Sequence, residues 1–131
     1  PGGPALVAAL RGRLERALVD EFQDTDADPW ALLRAVFVDG APPTHGLWVV
    51  GDPKQAIYGF RGADVYVYLR ARTELARAGA PVVQLQESHR HTAAMSAALD
   101  LLFDPDAPAP LLPGPITYTR TTSAGVRTAV D

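Results

Sequence analysis

Apolar residues are spaced in two distinct ways along the chain. Short runs at residues 17–19, 47–50 and 82–85 have the length and content of strands buried within a sheet. Elsewhere apolar positions recur every three or four residues, the spacing of a helix with one buried face. Leu6, Leu10 and Leu14 predict a short helix over residues 4–13 with Arg11 and Arg13 turned outward. Asp28 as cap and Pro29 in the first turn suit a helix start, after which Trp30, Leu33, Val36 and Phe37 share a face through residue 38. Over residues 63–78 a further helix carries Val65, Leu69, Arg72, Leu75 and Ala76 at helical spacing, and Gly79 then Pro81 end it. A last helix turns Met95, Leu99, Leu102 and Phe103 toward the core. Strands separated by helices of this length predict right-handed parallel crossovers and an α/β layered fold.

In such folds ligands bind beyond the carboxyl ends of the strands. Each predicted strand here is followed by side chains capable of chemistry. Asp20 and Glu21 follow the first, Asp52 to Gln55 follow the second, and Ser88, His89 and Arg90 follow the third. All three stretches are therefore expected to meet at one edge, where acid, amide and arginine would suit a metal-bound phosphate. Magnesium takes oxygen ligands and only one or two carboxylates, so Asp20 could anchor it and leave Glu21 free as a base. Neighbouring side chains on a strand point apart, so both can serve only if the chain turns there. Residues 47–64 hold the densest mixture: Gln55 offers a donor and an acceptor, Tyr58 and Phe60 flank Gly59, and Arg61 has a fork suited to phosphate. Plainer readings stay open from these residues alone: a solvated acidic turn, a strand-to-helix loop whose aromatics pack inward, surface histidines and a surface arginine.

Composition narrows the class. The 131 residues fit one small domain, 47% are apolar, and no apolar run approaches the ~20 residues of a membrane span. Without cysteine there is no disulfide framework and no cysteine metal site, a pattern that fits the cytoplasm. A net charge of -3 argues against coating nucleic acid through bulk positive charge, so any such contact is local. Lysine occurs once, at Lys54. The opening Pro1-Gly2-Gly3 reads as a piece cut from something longer. Residues 104–115 hold five of the twelve prolines and read as a stiff linker after a first segment of residues 1–103. The remainder, 116–131, reads as a mobile tail or the start of another segment, with a short strand at 116–118.

Residues 18–26, Leu-Val-Asp-Glu-Phe-Gln-Asp-Thr-Asp, resemble motif II, the Walker B element, of superfamily 1 DNA helicases of the UvrD and RecB type. Residues 50–64, Val-Gly-Asp-Pro-Lys-Gln-Ala-Ile-Tyr-Gly-Phe-Arg-Gly-Ala-Asp, resemble motif III of the same family, with the Pro-Lys-Gln-Ala wording nearest its RecB branch, that of exodeoxyribonuclease V. The resemblance spans residues 13–103. It implies the carboxyl-side part of a RecA-like P-loop NTPase motor domain: a three-layer parallel sheet with flanking helices, driven by ATP and Mg2+ on single-stranded DNA. It further implies double-strand break processing and recombination alongside the remaining helicase domains and RecC- and RecD-like subunits, with no membrane role. By this resemblance Asp20 holds magnesium, Glu21 activates the attacking water, and Gln55 senses the γ-phosphate. Tyr58 and Phe60 stack on bases, Arg61 links DNA to the nucleotide, Arg90 stabilises charge on the γ-phosphate, and His89 lies at the adenine.

Two departures mark the chain. Where the family has Asn-Tyr-Arg-Ser, this chain has Ser88-His89-Arg90-His91, which replaces the aromatic expected to stack on adenine. These residues also contain no Gly-x-x-x-x-Gly-Lys-Ser/Thr phosphate loop. The expectation is a helicase motor fragment inactive alone; the alternative is a non-catalytic module for nucleic acid or protein that keeps the fold.

Overall fold

The computed structural model describes residues 3–56, 64–112 and 115–125. It divides into two compact units, Pro1–Val82 and Val83–Asp131, which are described in turn.

The first unit runs α1 (Gly3–Arg11), β1 (Arg16–Val19), α2 (Ala27–Phe37), β2 (Gly46–Val49) and α3 (Val65–Arg77). Strands β1 and β2 pair in parallel with Arg16 opposite Gly46 and Val19 opposite Val49, so β1, α2 and β2 form the expected crossover unit. Period-two alternation decides which side chains face inward. Val19, Leu47 and Val49 pack with Leu33, Tyr68 and Leu75 around a buried centre of Phe22, Trp30, Val67 and Ala71. Phe22 meets Trp30 edge to face at 5.7 Å between ring centres, a favoured aromatic geometry.

The apolar runs predict strands buried on both faces, and the described residues cover only one. Leu18, Trp48 and Val50 remain exposed on the other. Trp48 lies back over Gly46, where a Cβ would come within 2.9 Å of its ring.

Helix α2 begins two residues earlier than the sequence suggests, with Asp26 as cap, Asp28 in the first turn and Pro29 placed where a missing N–H costs little. Its buried Trp30 has an indole N–H that needs a partner, and Glu74 of α3 accepts it at 3.0 Å. Arg34 donates to the same Glu74 oxygen at 3.3 Å, tying α2 to α3. On α3 the predicted face is displaced: Val67 and Ala71 are buried while Arg72 and Ala76 are exposed. The small Ala71, fully buried, lets the helix approach the Phe22 and Trp30 rings closely.

Arg11 also departs from expectation. Its guanidinium turns inward and donates to the carbonyls of Val36 (2.9 Å), Ala35 (2.7 Å) and Asp39 (2.6 Å) at the end of α2. The last carbonyls of a helix lack internal partners, and a forked cation supplies several donors at once.

In the second unit β3 (Glu87–Ser88) pairs in parallel with β4 (Thr122–Ser123), and α4 (Ala93–Leu102) starts at Thr92, whose hydroxyl accepts the Met95 N–H. The strands predicted at residues 82–85 and 116–118 are not formed; Val82, Val83 and Leu85 are exposed. A short apolar run becomes a strand only beside a neighbour that takes its hydrogen bonds, and the pairing here falls at 87–88 with 122–123. Of the residues expected to face the core from α4, Met95 and Leu102 are exposed while Phe103 stacks on Tyr118 at 5.5 Å. The Tyr118 hydroxyl donates to Asp100 at 2.8 Å. Among the described residues, no helix is long and apolar enough to cross a membrane.

Replacing Arg11 by alanine strands the carbonyls it now satisfies. Urea unfolding of the Arg11→Ala chain is expected to show a loss of about 1–3 kcal/mol, while Arg13→Ala, at an exposed position, stays near wild type.

Candidate functional site

The two parallel strands do not stop together at their last paired residues. The N–H of Val50 donates to Val19 O at 2.8 Å, and the N–H of Phe22 returns to Val50 O at 2.9 Å. Between these bonds the chain turns sharply. Glu21 adopts φ 50° and ψ 41°, the left-handed region that side chains other than glycine avoid at a cost of about 1–2 kcal/mol. The strand alternation is therefore broken at Glu21, immediately after Asp20. The Asp20 carboxylate accepts the Glu21 N–H at 2.9 Å, which helps hold the strained residue in place.

A short 3-10 turn, Phe22–Asp24, follows and sends Phe22 into the core. Gln23 goes inward as well and is 2% exposed. Its amide nitrogen donates to the Glu21 carboxylate at 2.7 Å, and its amide oxygen accepts the Asp52 N–H at 3.0 Å. Space for this amide exists because residue 51 is glycine: a Cβ there would stand 2.7 Å from Gln23 Oε1 and 3.1 Å from the backbone nitrogens of Phe22 and Gln23. From α3 the Tyr68 hydroxyl donates to Gly51 O at 3.2 Å, so the loop is held from both sides. Burial raises the pKa of that phenol above its usual value.

Asp52 caps a second 3-10 turn, Pro53–Gln55, by accepting the Lys54 N–H at 3.0 Å. The Lys54 ammonium pairs with the same oxygen at 2.7 Å, and the Gln55 amide donates to the other at 3.3 Å. Partial burial works to raise the Asp52 pKa. The two hydrogen bonds from Lys54, its charge and the Gln55 amide outweigh this and hold the carboxyl below its ordinary range.

An unbroken hydrogen-bonded path therefore runs from Glu21 through Gln23 and Asp52 to Gln55. Of the three stretches expected to converge, the first and second are joined by this path, through Glu21 and Gln55; Asp20 is tied to it by its bond to the Glu21 N–H. Tyr58, Phe60 and Arg61 fall outside the described residues. His89 and Arg90 belong to the second unit, where both are exposed; His89 Nε2 lies 3.9 Å from Glu87 and the Arg90 N–H donates to Ser88 Oγ at 3.3 Å.

Gln23 and Gly51 are the members of this arrangement to which sequence reasoning gave no part in the site; Asp52 was placed in the converging stretch without a role of its own. The register Val19 opposite Val49 carries the signal, since it brings residues just beyond both strand ends within reach of each other. Among the described residues no three His, Asp or Glu side chains are grouped to hold a metal ion. Magnesium bound to a nucleotide needs fewer, and the exposed carboxylate of Asp20 beside Glu21 is a donor set that fits it. For a nucleotide the fit covers the phosphate end alone, through the exposed Gln55 amide.

The left-handed turn can be tested by two substitutions that both remove the carboxylate. Glu21→Gly is expected to exceed Glu21→Ala in unfolding free energy by about 1 kcal/mol, because only glycine relieves the strain. Asp52 gives a pH test. A carboxyl with a depressed folded pKa contributes stability above the ordinary carboxylate range and loses it as pH falls through the folded value. Acid unfolding profiles are thus expected to be steeper for the wild type than for Asp52→Asn.

Residues 2–76 match the UvrD/REP helicase N-terminal domain, a span that includes β1, β2 and the Glu21 to Gln55 path. The chain is 47% identical over 73 residues to the RecBCD enzyme subunit RecB of Escherichia coli, covering 56% of this chain and 6% of that protein. It is 36% identical over 107 residues to RecB of Haemophilus influenzae, covering 81% and 8%, and 50% identical over 62 residues to RecB of Mycobacterium tuberculosis, covering 47% and 5%. The chain thus spans less than a tenth of the length of each of these relatives. With more than half of its residues matched, the chain belongs to the UvrD/REP helicase N-terminal domain family.

Proposed function

We propose that the chain is part of an ATP-driven DNA helicase or translocase motor of the RecB type, contributing the carboxyl-side portion of a RecA-like, three-layer motor domain. The observation that carries this reading is the path from Glu21 to Gln55, which joins an acid at the end of one parallel strand to an amide at the end of the next. Family membership and the RecB relatives support it.

Asp20 would hold magnesium through its exposed carboxylate. Bound ATP with that ion supplies the phosphoanhydride bond to be broken. Glu21 takes the proton of the attacking water, a task that requires an ionised carboxylate held in fixed orientation, which the Gln23 amide provides. Gln55 gives its amide donors to the γ-phosphate in exchange for Asp52, and the exchange repositions the turn at residues 53–55. That turn leads directly into Tyr58, Phe60 and Arg61. By the resemblance Tyr58 and Phe60 stack on single-stranded bases, a contact worth ~1–3 kcal/mol per base and indifferent to sequence, and Arg61 links DNA to the nucleotide site. The roles of Arg90 toward charge on the γ-phosphate and of His89 toward the adenine rest on the resemblance alone. Break processing with RecC- and RecD-like partners is the corresponding role of the parent protein.

The test is DNA-stimulated ATP hydrolysis by the full-length parent with and without Glu21→Gln. Hydrolysis is expected to fall by about 10²–10⁴-fold while binding of a fluorescent ATP analogue is retained. A variant that hydrolyses normally, or one that loses nucleotide binding, would assign Glu21 a structural role.

A further inference from the structure

We infer that Gln23 is a positioning residue that couples the DNA-facing turn to the catalytic base, holding Glu21 at one end of its amide and the backbone of Asp52 at the other. The inference rests on the functional reading above and extends it to a residue that touches neither nucleotide nor DNA.

Three observations carry it. First, the amide orientation is fixed by its partners. The Asp52 N–H can only donate and an ionised carboxylate can only accept, so the amide oxygen must face Asp52 and the nitrogen must face Glu21. Second, Gln23 is 2% exposed, so water does not offer easy replacements for either bond. Third, there is no room beside it for a side chain at residue 51: a single carbon added to Gly51 would stand 2.7 Å from Gln23 Oε1. A movement of the Asp52 backbone must then move the Gln23 amide, and the amide carries the Glu21 carboxylate with it.

The physical consequence is reciprocal. Engagement of DNA by residues beyond Gln55 acts on the turn that Asp52 caps and thereby orients the base, while events at the base are returned to the turn. Linkage requires that nucleotide change DNA affinity by the same factor that DNA changes nucleotide affinity, ordinarily ~5–150-fold. Removing the link should therefore uncouple the two ligands without removing either one.

The experiment uses the full-length parent and the substitution Gln23→Glu. This change keeps an acceptor for the Asp52 N–H and deletes the donor to Glu21. The expected result is a fall in DNA-stimulated kcat on the order of 10²-fold, the cost of a displaced catalytic group, with ATP affinity in the absence of DNA within about twofold of wild type. Single-strand affinity, measured with and without a non-hydrolysable ATP analogue, is expected to lose its nucleotide dependence. Gly51→Ala, which crowds the Gln23 amide oxygen most closely and the backbone nitrogens of Phe22 and Gln23 beside it, should act in the same direction, and it carries the test alone if Gln23→Glu does not fold. A folded variant that retains wild-type kcat and nucleotide-dependent DNA affinity would overturn the inference, as would kcat and KM deteriorating together with coupling intact. A wild-type parent without DNA-stimulated hydrolysis would instead overturn the functional reading on which it rests.

Discussion

A primary amide sealed away from water has two donors and an acceptor to satisfy, and leaving one unpaired costs about as much as a typical core mutation. Gln23 satisfies one donor with the Glu21 carboxylate and its acceptor with the Asp52 N–H, groups separated along the chain but adjacent beyond the ends of β1 and β2. Much of the first unit is arranged around this condition. Glu21 is strained into a left-handed turn that puts its carboxylate within reach, residue 51 gives up its side chain to make room, and Tyr68 holds the Gly51 carbonyl from above. The ring of Phe22, pulled into the core by the same turn, then fixes the depth at which α2 and α3 can pack.

The elements of the first unit were legible because their signals are local. Strand runs at 17–19 and 47–50 and the periodic stretches of α1, α2 and α3 appear where spacing places them. What spacing could not supply was tertiary. Arg11 looks like a solvated cation in a helical pattern and is instead drawn to carbonyls of another helix. The inward face of α3 is chosen by Ala71, whose small size matters only once Phe22 and Trp30 are known to lie opposite. The apolar content of 82–85 speaks for a strand, yet pairing falls at Glu87–Ser88 because that is where a neighbour is found.

At the candidate site, charge and position were enough to pick out Asp20, Glu21 and Gln55, since reactive groups just beyond apolar strands are conspicuous. Gln23 was not conspicuous. A glutamine in a polar stretch gives no sign that it will be buried, and its importance comes from the two bonds it makes rather than from its chemistry. Asp52 was picked out by place but not by part: it lies in the converging stretch, and only the structure shows that it binds both Lys54 and Gln55.

The two tryptophans of this chain, Trp30 and Trp48, experience opposite surroundings within one unit. The first is enclosed at the junction of two helices, and the second lies on the bare side of the sheet. Indole emission shifts toward longer wavelength in water, so the pair forms an intrinsic two-colour probe. The blue component reports whether the core is intact, and the red component reports whether anything has settled over the open face. Unfolding moves Trp30 to the red and covering the open face moves Trp48 to the blue, so the two events are told apart by the direction of the shift, without attaching a label.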